Sequence, residues 1–154
     1  MAMPIFDDMG KYRKLSHVVY KCDHHIVWVP KYRLRILKGD VRELLESDIR
    51  MLCEWKGCSV EELNVQADHV HLLVSVPPKV SISKLMGTLK GKLAIKLFKS
   101  CPNLKRKPYW GNHFWAGGYF VGTVGLDEGM IRKYVKHQEK EERKVGDQQQ
   151  RFDL

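Results

Sequence analysis

Apolar positions along this chain follow two periods, and the alternation between them predicts a mixture of strands and helices. His17 to Val29 reads as a strand, with Ile26, Val27, Trp28 and Val29 at its β-prone end and Pro30 as its stop. Asp40 is placed to cap a helix, with Glu43 three residues on. Val41, Leu44, Leu45, Asp48, Leu52 and Trp55 then follow helical spacing with one polar break, and Gly57 is a plausible end. Ser59 to Gln66 is expected to form a strand antiparallel to the next one, Ala67 to Val76, which stops at Pro77-Pro78. A second helix spans about Ser81 to Lys99, with Ile82, Leu85, Met86, Leu89, Leu93 and Leu97 as its buried stripe. Phe114 to Val124 reads as a strand interrupted by Gly117-Gly118, and a last helix runs from about Met130 to Arg143. Residues 1 to about 15 are expected to form a loose arm and Val145 to Leu154 a polar, disordered tail.

The strand from Ala67 to Val76 sorts its residues by chemistry as well as by hydropathy. Side chains alternate across a strand, so Val70, Leu72, Val74 and Val76 share one wholly apolar face. His69, His71, Leu73 and Ser75 share the other. With the apolar face in the core, the two histidines project together, their Cα atoms roughly 6.6 Å apart. Two imidazoles at that spacing can converge on one metal ion, although an isolated His-x-His is more often a pair of half-exposed sheet residues. His24 and His25 fall on opposite faces of their strand and are read as structural or supporting residues.

Charge narrows the partner. Lys plus Arg is 27 against 18 for Asp plus Glu, a net charge of +9, which suggests a polyanion, most often nucleic acid. Lys84, Lys90, Lys92, Lys96 and Lys99 decorate the second helix, with Lys105, Arg106 and Lys107 just beyond. Together they read as a phosphate-binding surface. Trp110, Phe114, Trp115, Tyr119 and Phe120 crowd one region and are expected to be mostly core, although aromatics beside basic residues can also stack unpaired bases. The length of 154 residues suits one domain with one core. No apolar run approaches membrane-spanning length and no signal-peptide pattern opens the chain, so a cytoplasmic location and no membrane partner are expected. Cys22, Cys53, Cys58 and Cys101 form no C-x-x-C pair and are expected to be free thiols.

The last helix adds a second group of reactive side chains. Tyr134 and Gln138 are four residues apart and lie on one helix face. A Gln carbonyl oxygen is a hard ligand that suits Mg²⁺ or Mn²⁺ better than zinc. Two His and one Gln would leave open positions on an octahedral ion for a phosphodiester oxygen and water, and Tyr134 could attack phosphorus. Spacing alone does not bring this helix to the histidine strand.

These motifs, in this order, resemble the small single-strand DNA transposases of bacterial insertion sequences, members of the HUH endonuclease group. The likeness lies in His25-Ile26-Val27-Trp28-Val29-Pro30-Lys31-Tyr32-Arg33, Leu52-Cys53-Glu54-Trp55-Lys56, Ala67-Asp68-His69-Val70-His71-Leu72-Leu73 and Pro77-Pro78-Lys79. It continues through Leu85-Met86-Gly87-Thr88-Leu89-Lys90-Gly91-Lys92, Gly118-Tyr119-Phe120-Val121 and Tyr134-Val135-Lys136-His137-Gln138, covering about residues 12–143. Gly117 stands where many relatives carry a basic residue.

The resemblance implies an α+β fold, an antiparallel sheet flanked by helices and related to the ferredoxin-like arrangement. It implies a homodimer acting on single-stranded DNA, binding hairpins near an element's ends and cutting nearby. Tyr134 would be the nucleophile, joined to a 5′ phosphate while a 3′ hydroxyl is freed. His69, His71 and Gln138 would hold the metal, Mg²⁺ or Mn²⁺. Candidate DNA contacts are Lys31, Arg33 and Lys79, with Lys84, Lys90, Lys92 and Lys96 on the second helix. Gly125 and Gly129 would form a hinge, and the resemblance favours Tyr134 acting in trans, on the partner's histidines. Two alternatives stand beside this one: a host-adopted relative that processes repeated chromosomal hairpins, and a non-catalytic nucleic-acid-binding module.

Overall fold

A computed structural model describes residues 13–15, 18–20, 22–106, 113–123, 129 and 131–141. The expected arm over residues 1–12, the tail over 145–154, Gly125 and Trp110 lie outside the described residues. Six strands are described: β1 (Arg13–Leu15), β2 (Val18–Tyr20), β3 (Asp23–Trp28), β4 (Ser59–Gln66), β5 (His69–Ser75) and β6 (Phe120–Gly122). Three helices accompany them: α1 (Gly39–Trp55), α2 (Ile82–Ser100) and α3 (131–141).

The main sheet has the order β4-β5-β3-β6, antiparallel throughout, and β1 and β2 form a separate two-stranded pair. This bears out the α+β expectation and corrects two details. The end of the expected arm, Arg13–Leu15, is a strand, and His17 to Val29 is two strands rather than one. The division follows the partners. The pairing of β3 with β5 starts at Asp23 opposite Ser75, whereas Val18–Tyr20 pairs back on Arg13–Leu15.

Apolar periodicity carries through to packing. Ile26, Trp28, Val65, Val70, Leu72 and Val74 cover one face of the sheet and meet Leu45, Ile49 and Leu52 of α1 and Leu85, Leu89 and Leu93 of α2. Asp40 is not the cap of α1. The cap is Lys38, without a side-chain bond, and Asp40 sits in the first turn, where its charge complements the helix dipole. Gly57 is the expected stop: at φ +75 it donates to Glu54, while Cys58 donates to Cys53. That pair of bonds is a Schellman end, which favours a residue without a Cβ. Ser81 caps α2 by accepting from the Lys84 amide at 3.1 Å.

Phe114 to Val124 is shorter as a strand than expected. Among its described residues only Phe120–Gly122 pairs with β3, and Trp115 forms an isolated bridge with Pro30. Gly118 lies at φ +81 between them and turns the chain. Of the aromatic cluster expected to be mostly core, Phe114 and Trp115 are buried, while Tyr119 and Phe120 are half-buried. The four cysteines are free, and burial holds the Cys53 thiol up at about 12, so it stays protonated. Among the described residues no helix is long and apolar enough to cross a membrane.

Candidate active site

Strand register decides what the histidine face contains. Directly paired residues point to the same side of a sheet, and His71 pairs with Val27, which in turn pairs with Phe120. His25, two residues before Val27, therefore joins His69 and His71 on the face turned away from α1 and α2. The face is not left open. Val135 of α3 packs with Val27, Val29 and Ala116, and Ile131, Tyr134 and Phe120 lie against that cluster. The helix bearing Tyr134 and Gln138 thus sits on the histidine face of its own chain.

Each imidazole is held by a neighbour. His69 Nδ1 is 2.9 Å from Asp68 Oδ1, and a carboxylate only accepts, so Nδ1 carries the proton. That tautomer leaves the Nε2 lone pair of a neutral ring free to ligate. His71 Nε2 is 3.1 Å from His25 Nδ1, and the two rings stack at 5.3 Å between centroids. Burial, then the nearby His25 and His69, push the His71 pKa below the ordinary imidazole value, so the ring is neutral at pH 7.

Tyr134 is half-buried, and its hydroxyl is shielded from solvent with no hydrogen bond of good geometry. Burial pushes its pKa up to about 12, with a hydrogen-bonding interaction with the Gln138 side chain acting in the opposite direction. The resting phenol is therefore neutral, and its ring leans on Phe120 at 5.7 Å.

Imidazole nitrogens and an amide oxygen are donor types that a divalent ion accepts. Among the described residues no group of three or more His, Cys, Asp or Glu gathers as a metal site, and the donors available to an ion on this face are the two imidazoles, with Gln138 on the helix packed over it. Such a sparse set retains positions for substrate oxygens. His25 stands in the supporting position expected of it, and Asp68 is a supporting residue that the sequence reading missed. Asp68 precedes His69 in the chain, so its role was open to sequence reasoning. The contact of His25 with His71 depends on the β3–β5 register and was not.

The basic residues divide. Arg33 is engaged inside the fold, with Nε 3.2 Å from Asp68 and Nη1 3.0 Å from Glu139. Lys90 donates to the carbonyls of Ala116 and Gly118 at 2.8 and 3.0 Å, holding the segment before β6. Lys96 pairs with buried Asp48 at 2.9 Å. Lys79, Lys84 and Lys92 are exposed, whereas Lys31 is half-buried with its ammonium over the Tyr32 ring. Lys92 reaches over the ring of Trp55, which is 72% exposed. Gly129 lies just before α3 and is itself helical, and Gly125 falls outside the described residues.

Comparison with known proteins points to one family. Residues 18–138 match the family model described as "Transposase IS200 like". The chain is 44% identical over 140 residues to the transposase for insertion sequence element IS200 of Salmonella typhimurium, covering 91% of each. It is 35% identical over 125 residues to the ISDra2 transposase TnpA of Deinococcus radiodurans, covering 80% of this chain and 89% of that one. A crystal structure of a Deinococcus radiodurans protein assigned as a transposase superposes with a TM-score of 0.73 at 32% identity, over 82% of this chain and 97% of the other. The fold also matches, at a TM-score of 0.50 and 13% identity, a REP-associated tyrosine transposase bound to a REP hairpin, over 80% of this chain and 68% of that one. With most of its length matched by the family model and by relatives above 30% identity, the chain belongs to the IS200-like transposases.

Proposed function

We propose that this transposase cleaves and rejoins single-stranded DNA through a covalent link to Tyr134. The observation that carries the reading is the packing of the Tyr134–Gln138 helix on the sheet face that bears His69 and His71. The Tyr134 oxygen would attack phosphorus, forming a P–O bond to the tyrosine as the bond to the 3′ oxygen breaks. The phenol loses its proton and the departing 3′ oxygen takes one up, leaving a 5′-phosphotyrosine and a free 3′ hydroxyl. Reversal by a 3′ hydroxyl rejoins strands without an energy source, because one phosphodiester is exchanged for another.

His69, His71 and Gln138 would hold the divalent ion. When bound, Mg²⁺ or Mn²⁺ would supply Lewis-acid polarisation of the phosphate at this site. Asp68 keeps His69 in the ligating tautomer, and the burial of His71 keeps it neutral. The phenol is too weak an acid to ionise freely at pH 7, so its deprotonation belongs to the attack itself. The direct test is incubation with a hairpin-bearing single-stranded oligonucleotide and Mg²⁺. A denaturation-resistant protein–DNA adduct is expected, and its absence with every divalent ion and end sequence tried would refute the reading.

DNA would also be bound on the outer side of the helices. An open groove of about 550 Å³ there is lined by Lys56, Lys84, Lys92 and Ile95 over the small residues Gly87, Thr88 and Gly91. Exposed Trp55 beside Lys92 offers a stacking face. DNA held there lies away from the histidine face, which suits a folded hairpin better than the strand being cut. The fold relative bound to a REP hairpin supports hairpin recognition in this architecture. Trp55→Ala should weaken single-stranded hairpin binding by about 1–3 kcal/mol if one base stacks on it. Lys92→Gln should reduce the log–log salt slope by about 0.7. Unchanged affinity and slope in both variants would remove this surface from the binding site. Lys96→Gln is a poor probe, since it leaves buried Asp48 without its ammonium partner.

Function as a homodimer with Tyr134 in trans remains part of the proposal. In the single chain the helix lies on its own histidine face, the one such face available to it. Docking in trans would exchange that helix between two copies around the segment containing Gly125 and Gly129.

A further inference from the structure

We infer that Arg33 is a positioning residue that couples the seating of the tyrosine helix to the orientation of His69. The inference rests on the reading of Tyr134 and His69 as partners in cleavage. Arg33 spans two elements: its Nε meets Asp68 Oδ2 at 3.2 Å and its Nη1 meets Glu139 Oε2 at 3.0 Å. The other oxygen of Asp68 holds His69 Nδ1 at 2.9 Å, and Glu139 adjoins Gln138 on α3. One guanidinium therefore touches the group that sets the His69 tautomer and the helix that carries the nucleophile. The three side chains in the relay are 16–28% exposed, so solvent screens the contacts only in part.

The backbone is bent to place it. Tyr32 and Arg33 lie at φ 60 and 51, a left-handed region that non-glycine residues seldom occupy, and here two do so in succession. The turn is pinned from both sides. Lys31 N donates to Phe114 O at 2.9 Å, Arg33 N to Pro30 O at 2.9 Å, and Ala116 N to Val29 O at 3.0 Å. Lys90 braces the same segment through the Ala116 and Gly118 carbonyls. A guanidinium is suited to this position because its fixed fork presents separate N–H groups to two carboxylates, which an ammonium on a flexible stem does not do in the same geometry.

The coupling has a mechanistic consequence. When α3 is seated, Glu139 fixes one side of the Arg33 fork and the other side holds Asp68 against His69. When α3 leaves, Arg33 loses one anchor and Gln138 is withdrawn together with Tyr134. The histidine site is thus best formed in the state in which the nucleophile is present.

The test uses the full chain without DNA, measuring Mn²⁺ binding by calorimetry and amide hydrogen exchange across residues 131–141. Arg33→Ala and Glu139→Gln should each speed exchange in α3 and weaken Mn²⁺ binding by roughly 10-fold, the lower end of the effect of losing a supporting partner. Their double variant should be no worse than Arg33→Ala, because both remove one relay. The charge swap Arg33→Glu with Glu139→Arg separates positioning from packing. It should restore slow exchange in α3 but not Mn²⁺ affinity, since Glu at 33 would repel Asp68. Recovery of both, or full additivity of the single changes, would overturn the coupling. Should Arg33→Ala fail to fold, wild-type exchange and affinity in Glu139→Gln would overturn it as well. A wild-type protein that forms the adduct while the variants behave normally would defeat this inference alone. Absence of Mn²⁺ binding and of the adduct in the wild type would defeat the proposed function.

Discussion

Tyr134→Phe should abolish the covalent protein–DNA adduct, lowering strand cleavage by more than roughly 10³-fold, the scale expected when a covalent nucleophile is removed. The substitution keeps the ring that leans on Phe120 and packs beside Val135, so α3 should stay seated. It also removes a buried hydroxyl that has no well-formed hydrogen bond, so stability should be unchanged or slightly raised. Hairpin affinity should remain near wild type, because the groove beside Trp55 lies on the other side of the sheet. Adduct formation by the Phe variant, detected on a denaturing gel with end-labelled DNA, would move the nucleophile elsewhere, and Tyr119 and Tyr109 would be tested next.

His69→Ala and His71→Ala should each reduce cleavage by more than roughly 100-fold, beyond the usual effect of losing a residue that only supports a ligand. An ion held by two imidazoles and one amide has little redundancy among its ligands. Chelation should stop the wild-type reaction and Mg²⁺ or Mn²⁺ should restore it, whereas full activity in a chelator would sink the metal assignment. The pH dependence follows from His71. Its pKa is lowered, so the ring takes up a proton only below the ordinary imidazole value of ~6.5, and Mn²⁺ binding should persist to correspondingly lower pH. His25→Ala removes one of the two nearby imidazoles that lower it, so the acid limit should move upward. The same lesions resolve which subunit supplies the nucleophile. A purified heterodimer of His69→Ala/His71→Ala with Tyr134→Phe/Gln138→Ala has one intact site only if α3 docks in trans. An adduct from that heterodimer supports exchange of the helix, and hairpin binding without an adduct supports the arrangement of the single chain.

Much of this protein was legible in its sequence because its elements carry strong local signals. The switch from period 2 to helical period located β4, β5, α1 and α2, and Gly57 ended α1 because the Schellman turn needs a left-handed residue. Alternation in β5 separated the valine face from the histidine face, since a strand leaves no other arrangement once the valines are buried. Helical spacing put Tyr134 and Gln138 together for the same kind of reason.

Beyond the antiparallel β4–β5 pair, which the sequence already suggested, the tertiary structure decided how the elements meet. The single expected strand from His17 to Val29 is divided, because strand limits depend on where a partner's edge lies and not on propensity alone. His25 meets His71 through the β3–β5 register, which no local pattern specifies. Charge composition showed an excess of lysine and arginine but not where each charge is used. Arg33, Lys90 and Lys96 read as DNA contacts, yet the fold turns them to Asp68 and Glu139, to two backbone carbonyls, and to Asp48. A long cationic side chain answers to whichever acceptor the fold brings within its reach, and those acceptors lie 26 to 106 positions away in the chain, beyond any local periodicity.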